Sequence, residues 1–319
     1  MLYKLVEKKF KEAVYTRYDE LPYVFLFRHS DFEGLKREPF VVKSSLGHNL
    51  QGYFHYYDNP IKNRLIVFDH GMYGGHRSYM REIERLCGHG YLVFAYDHTG
   101  CLESGGETTG GFSQSLRDLD EVICALKTLP ELNGYEISVV GHSWGGFATL
   151  NIPRFHPEIK KIVAISGFIS PKEIIYQHAK GLFKLFVNRV YKNEVAGNPK
   201  YMECSAIDTL ANSDTEALIF HSPNDHMVNY QKHFLKLKDA LGERKNLTFV
   251  TVEGGDHNPN YTKKALLAKQ DFQAKLRDKL KSKALNTKEE CKAFVDSLDW
   301  YQITEQNDEV WAQIFEFLD

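Results

Sequence analysis

Six short apolar runs, at residues 64–68, 91–96, 137–140, 161–165, 217–221 and 247–252, recur through the chain with helix-compatible segments between them. None alternates polar with apolar residues, so each needs cover on both faces, which only a parallel sheet between two helical layers provides. The intervening stretches near 78–89, 112–128, 144–152, 229–242 and 260–283 carry apolar residues at three- and four-residue spacing, the pattern of helices with one buried stripe. Pro130 and Asn133-Gly134 stop the second of these helices. Strand and helix in alternation predict an α/β class: a mostly parallel, doubly wound sheet. Ahead of it, residues 40–45 and 50–57 flank Leu46-Gly47-His48-Asn49 and predict an antiparallel hairpin that opens the sheet.

One interval breaks the rhythm. From Phe168 to Asn212, 45 residues contain no strand candidate, only a helical stripe over 172–191 with Ile174, Ile175, His178, Leu182, Leu185, Phe186 and Val190. An ordinary crossover helix with a long loop is the plainer reading, but the length exceeds usual connections and favours an inserted helical lid. The expected organisation is an N-terminal extension (1–37), a core (38–167 and 213–283), a lid (168–212) and a C-terminal helical appendage (284–319). In the appendage, 287–298 and 308–318 read as amphipathic helices. Val310, Trp311, Ile314, Phe315 and Leu318 form a greasy face that packs on the domain's own flank or, as the alternative, joins a homodimer.

Composition excludes several classes of function. A chain of 319 residues that is 43% hydrophobic can bury a large core. With 40 basic and 42 acidic residues it has no overall pull on a polyanion, so no nucleic-acid partner is expected. Charges interrupt Met1 to Phe10 before the apolar core of a secretory signal can form, and no run reaches the ~18 apolar residues of a membrane span. The five cysteines are odd in number, scattered and without a Cys-x-x-Cys pair; this argues against a disulfide framework or zinc knuckle and for a reducing, cytoplasmic compartment. Cys124 falls inside a helix and reads as core.

The chemistry starts at Gly141-His142-Ser143-Trp144-Gly145-Gly146, directly after the run at 137–140. A Gly-x-Ser-x-Gly turn between strand and helix strains the serine backbone and pushes its hydroxyl out of the sheet edge. By composition the pentapeptide arises by chance in roughly one chain in ten of this length, so its context matters more than its occurrence. A serine hydroxyl is a weak nucleophile at neutral pH and needs a histidine base, which needs a carboxylate to fix its tautomer. Asp225 follows the run at 217–221, and His257 follows the run at 247–252. Both stand at the carboxyl ends of strands, the edge to which Ser143 is delivered. Asp256 is a rival acid but adjoins His257 on a tight turn; His226 is a rival base but precedes the last strand. His70, His142 and His221 read as hydrogen-bonded scaffold, and Asp97 as a residue that fixes its own loop. No spacing on a helix suggests converging metal ligands.

With Ser, Asp and His in that order, the chain resembles, over roughly residues 38–283, serine hydrolases of the α/β-hydrolase superfamily of the monoacylglycerol lipase and serine aminopeptidase type. The matching pieces are His70-Gly71-Met72-Tyr73-Gly74-Gly75, Asp97 to Gly106, Gly141 to Gly146, Asp225 before Val228, and Gly255-Asp256-His257. Where that family has a glycine, this chain has Leu102 after Cys101. The resemblance implies an oxyanion hole formed by the backbone N–H groups of Met72 and Trp144. It implies an esterase-type serine hydrolase with the catalytic set Ser143, Asp225 and His257, acting through an acyl-enzyme on a small-molecule ester or amide, with no cofactor and no metal. The alternatives are a peptidase or amidase on small acyl or aminoacyl substrates, another reaction on the same frame, and a ligand-binding protein without turnover. Phe168, Ile169, Tyr176, Leu182, Phe183, Leu185, Phe186 and Tyr191 in the lid predict an apolar acyl or aromatic group beneath it.

Overall fold

The computed structural model describes residues 2–58, 60–61 and 63–319. Its strands are β1 (Lys36–Lys43), β2 (Asn49–Tyr56), β3 (Arg64–Asp69), β4 (Leu92–Tyr96), β5 (Glu136–His142), β6 (Lys161–Ile165), β7 (Glu216–His221) and β8 (Leu247–Thr251). They form one sheet in the order β1-β2-β4-β3-β5-β6-β7-β8. The hairpin β1–β2 and its junction with β4 are antiparallel; every later pairing is parallel. The expected α/β architecture and its antiparallel opening are what the chain adopts.

Among the described residues thirteen α-helices accompany the sheet: α1 (Leu2–Val14), α2 (Met80–Gly88), α3 (Gln114–Leu126), α4 (Trp144–Asn151), α5 (Pro171–His178), α6 (Leu182–Gly197), α7 (Pro199–Met202), α8 (Ala206–Ala211), α9 (Lys236–Leu241), α10 (Lys263–Lys281), α11 (Lys288–Asp296), α12 (Trp300–Ile303) and α13 (Asp308–Leu318). A five-residue π-helical stretch, Gln231–Leu235, leads into α9.

Alternate residues along the central strands serve opposite layers. Leu65 and Val67 of β3 and Val139 of β5 join a core with Leu119 and Val122 of α3, Phe147 of α4 and Leu210 of α8. Ile66, Phe68 and Val140 join a second core with Ile83 and Leu86 of α2 and Trp311 and Ile314 of α13. The continuous apolar runs are thus the signature of a sheet covered on both sides.

Three features differ from expectation. The stripe over 172–191 is two helices, because Gly181 sits at φ +52° between α5 and α6, a conformation that costs a side-chain-bearing residue much more. Leu185, expected on the buried stripe, is 76% exposed, whereas Ile174, Ile175 and Val190 are buried. Cys124 is exposed on α3 rather than in the core, because the inward stripe of that helix is Leu116, Leu119, Val122, Ile123 and Leu126. All five cysteines are free.

The greasy face of α13 covers its own sheet: Trp311 and Ile314 have no exposed area, and Arg64 of β3 donates to the carbonyls of Leu318 and Asp319. The last helix between β6 and β7, α8, likewise lies in the main core through Ala206 and Leu210. α1 packs Val6, Phe10 and Val14 against Val187 and Val190 of α6. Among the described residues no helix is long and apolar enough to cross a membrane.

Candidate active site

The turn from β5 into α4 holds Ser143 at φ +57°, ψ −107°. Such a backbone is strained for any residue but glycine, and persists only where the surroundings fix it. Here the Ser143 amide donates to the carbonyl of Ile165 at 2.8 Å, and its carbonyl accepts from Phe147 at 3.0 Å. The flanking glycines are required by proximity. A Cβ on Gly145 would lie 2.0 Å from the Asp69 carbonyl oxygen, and one on Gly141 would lie 2.2 Å from Thr149 Oγ1.

The loops after β7 and β8, at the same carboxyl edge of the sheet, converge on this serine. The Ser143 hydroxyl lies 2.9 Å from Nε2 of His257, positioned to donate to it. Nδ1–H of the same ring donates to Oδ2 of Asp225 at 2.8 Å. Asp225, not the adjacent Asp256, is the carboxylate against the imidazole. Its other oxygen accepts from the backbone amides of Met227 and Val228 at 2.8 and 2.9 Å, and Nε2 of His221 lies 3.2 Å from Oδ2. Burial alone would raise this carboxyl's pKa, but the bonds from His221 and His257 hold it well below the usual carboxylate range. It therefore stays charged and fixes the ring's tautomer.

His142 is also part of this arrangement. Its Nε2–H donates to the carbonyl of His257 at 2.8 Å, and its Nδ1 accepts from the Tyr79 hydroxyl at 2.8 Å. The Tyr79 oxygen in turn accepts from the Gly71 amide at 3.1 Å. Burial, with the neighbouring His257, pushes the His142 pKa down to about 3, so its ring is neutral. Nothing in the local sequence marks Tyr79, which is legible only once α2 is folded against β3.

Beneath the site lies a buried ionic cluster that the sequence reading missed. His98 Nε2 is 2.6 Å from Asp69 and its Nδ1 is 3.3 Å from Asp118. Burial disfavours charge on the ring, yet the two carboxylates push its pKa up to about 9. His70 donates from Nδ1 to the Gly71 carbonyl and accepts the His98 amide at Nε2, and so shapes the loop after β3. Asp97 accepts amides of His76 and Glu103, which ties down the next loop as expected. In that loop Leu102 has φ +37°, the left-handed region that explains a glycine at this place in the family it resembles.

Among the described residues, neither the Met72 nor the Trp144 amide donates to a protein group, and both residues line the cavity of about 260 Å3 that holds Ser143 and His257. Away from this site Asp120, Cys124 and His156 bring one ligand atom each within 4.8 Å of one another. Lys200 and Tyr201 already bond the second Asp120 oxygen at 2.8 and 2.7 Å, so the carboxylate has its counter-charge from the protein.

Comparison with known proteins bears on the fold. Residues 61–208 match the family model described as serine aminopeptidase, S33. An uncharacterized protein of Bacillus subtilis (strain 168), YqkD, is 29% identical over 241 residues, 73% of this chain and 76% of that protein. Among solved structures, an esterase from Pyrococcus furiosus superposes with a TM-score of 0.59 at 17% identity, covering 84% of this chain and 98% of its own. An acetyl xylan esterase from Paenibacillus sp. R4 gives 0.56 at 15% identity over 80% and 87%. The chain has the α/β-hydrolase fold, with an antiparallel opening of the sheet and a strand–serine–helix turn.

Proposed function

We propose that this chain is a serine esterase in which Ser143 is the nucleophile, His257 the proton relay and Asp225 the carboxylate that orients it. The observation that carries the reading is the unbroken run of hydrogen bonds from Ser143 Oγ through both nitrogens of His257 to Asp225. Ser143 Oγ attacks the ester carbonyl while its proton passes to Nε2, and Asp225 stabilises the resulting imidazolium. The amides of Met72 and Trp144 receive the developing oxyanion, a contribution of about 3–4 kcal/mol per donor in such sites. Collapse of the tetrahedral intermediate breaks the bond to the alkoxy group, which leaves with the proton from Nε2. Water then repeats the sequence on the acyl-enzyme, releasing the acid and restoring Ser143.

The names of the structural relatives favour esters over amides, and the proposed cover is the lid segment 168–212, of which α8 lies in the main core. The five free thiols suit a reducing compartment such as the cytoplasm. Treatment with a fluorophosphonate probe followed by peptide mass spectrometry should modify Ser143 alone. A folded protein that stays unlabelled contradicts the reading. Parallel assays with p-nitrophenyl esters and aminoacyl p-nitroanilides separate esterase from aminopeptidase.

A further inference from the structure

The apolar space at Ser143 continues beyond its own pocket. A second cavity of about 540 Å3 opens between α1, the α5–α6 junction and the loop after β3, with Val6, Phe10, Ile175, Leu182 and Phe183 among its walls. Met72, Tyr73, Phe112, His178 and Met227 line both cavities, so the two adjoin across shared side chains. Met72 fixes the direction. The residue whose amide is the proposed oxyanion donor lines both cavities, so an acyl carbonyl held there can pass its chain along the Met72 side chain toward α1.

α1 is held firmly enough to act as a wall. The Phe10 ring packs 5.8 Å from Phe183 and 6.5 Å from Phe112. The Tyr15 hydroxyl donates to Glu194 of α6 at 2.6 Å, and the Arg189 guanidinium lies 4.0 Å over the Tyr3 ring. Just past the helix, Arg17 donates to the carbonyls of Leu102, Ser104 and Gly106, anchoring it to the loop after β4. Yet four large hydrophobic side chains that line the cavity remain open to solvent: Leu5 at 49%, Tyr73 at 43%, Leu182 at 39% and Met227 at 58%. A cluster of exposed apolar side chains around a cavity marks a surface that a ligand covers. Lys9 and Lys180 are the charged residues in the lining, and their long stems can keep the ammonium groups at the rim.

We propose that α1 forms the far wall of an acyl-chain site and that the enzyme's preferred substrates are esters of unbranched acyl groups of medium length. The assignment rests on the serine-esterase reading above. An apolar cavity of roughly 150 Å3 accommodates benzene, so this one has room for a chain on the order of ten carbons. Such a chain has no polar atoms to satisfy, which suits walls of Val, Leu, Ile and Phe.

The test compares Ser143 modification by fluorophosphonates that carry an ethyl or a decyl chain, in the full-length protein and in Leu5→Trp. Leu5 is half exposed, so the larger side chain can be carried without repacking the core. The native protein should react with the decyl probe at least about tenfold faster than with the ethyl probe, and Leu5→Trp should bring that ratio to near one. Leu182→Trp, placed on the opposite wall, should do the same. A native ratio near one, or a ratio unchanged in both folded variants, overturns the assignment of α1. Absence of labelling by either probe instead removes the acyl-enzyme reading, and the acyl site falls with it.

Discussion

The backbone carbonyl of His257 accepts a hydrogen bond from Nε2 of His142 at 2.8 Å. The residue before the proposed nucleophile thus also holds the loop that carries its base. Through Tyr79 the same chain of bonds reaches the Gly71 amide, one residue before Met72. The serine turn, the loop of the proposed base and the loop of the proposed oxyanion donor are coupled through the rings of His142 and Tyr79.

Tyr79→Phe tests that coupling. The variant keeps the ring in place but leaves the Gly71 amide and His142 Nδ1 without partners, at a cost of about 1–3 kcal/mol for a buried polar group. We expect kcat/KM on a p-nitrophenyl ester to fall about tenfold or more and the urea midpoint to drop. Native activity in the variant would show that the three loops hold their geometry independently.

Ser143→Gly should separate stability from catalysis. Its φ of +57° stores strain that glycine relieves, partly offset by the greater freedom of glycine in the unfolded chain. The expected net gain is about 1 kcal/mol in denaturant unfolding, with loss of all fluorophosphonate labelling. Ser143→Ala should lose labelling equally without that gain. Equal stability of the two variants would mean that the turn is not strained.

Asp225→Asn replaces the oriented carboxylate by an amide of the same shape that can still accept from Met227 and Val228. With the ring's tautomer no longer enforced, kcat should fall by about 10^4, as for carboxylate-to-amide changes in comparable triads. Steady-state kinetics on a short ester, with circular dichroism to establish folding, gives the answer. A loss smaller than tenfold would point to another acid.

The buried His98 cluster carries a pH dependence. The ring's folded pKa of about 9 lies above its ordinary 6.5. Its contribution to stability is therefore fully present below pH 6.5 and is lost as pH rises through about 9. Unfolding midpoints should fall between pH 7 and 10 by more in the native protein than in His98→Gln. Parallel profiles would show that the ring is not charged in the folded state.

Much of the architecture is written in local pattern. The runs at 64–68 and 137–140 needed only their lack of polar alternation to be read as sheet interior, and Gly141 to Gly146 announced a strand–helix turn because close approach to Asp69 and Thr149 admits nothing larger. Asp225 and His257 were legible because topology confines such residues to strand ends. What stayed hidden depends on side chains meeting across long separations. Tyr79 finds His142, and His98 finds Asp69 and Asp118, only after the sheet has formed, and no spacing rule encodes those meetings. The break at Gly181 was missed because apolar residues on either side keep helical phase. Cys124 was misplaced because helix membership alone does not say which way a residue faces.

The position of α13 has a consequence for synthesis. Ile66 and Phe68 of β3 and Val140 of β5 emerge from the ribosome well before Trp311 and Ile314, the residues that share their core. The part of this layer that α2 does not cover therefore stays open in the nascent chain until α13 has been made. During that delay the polypeptide exposes aggregation-prone surface and is a natural client for chaperones.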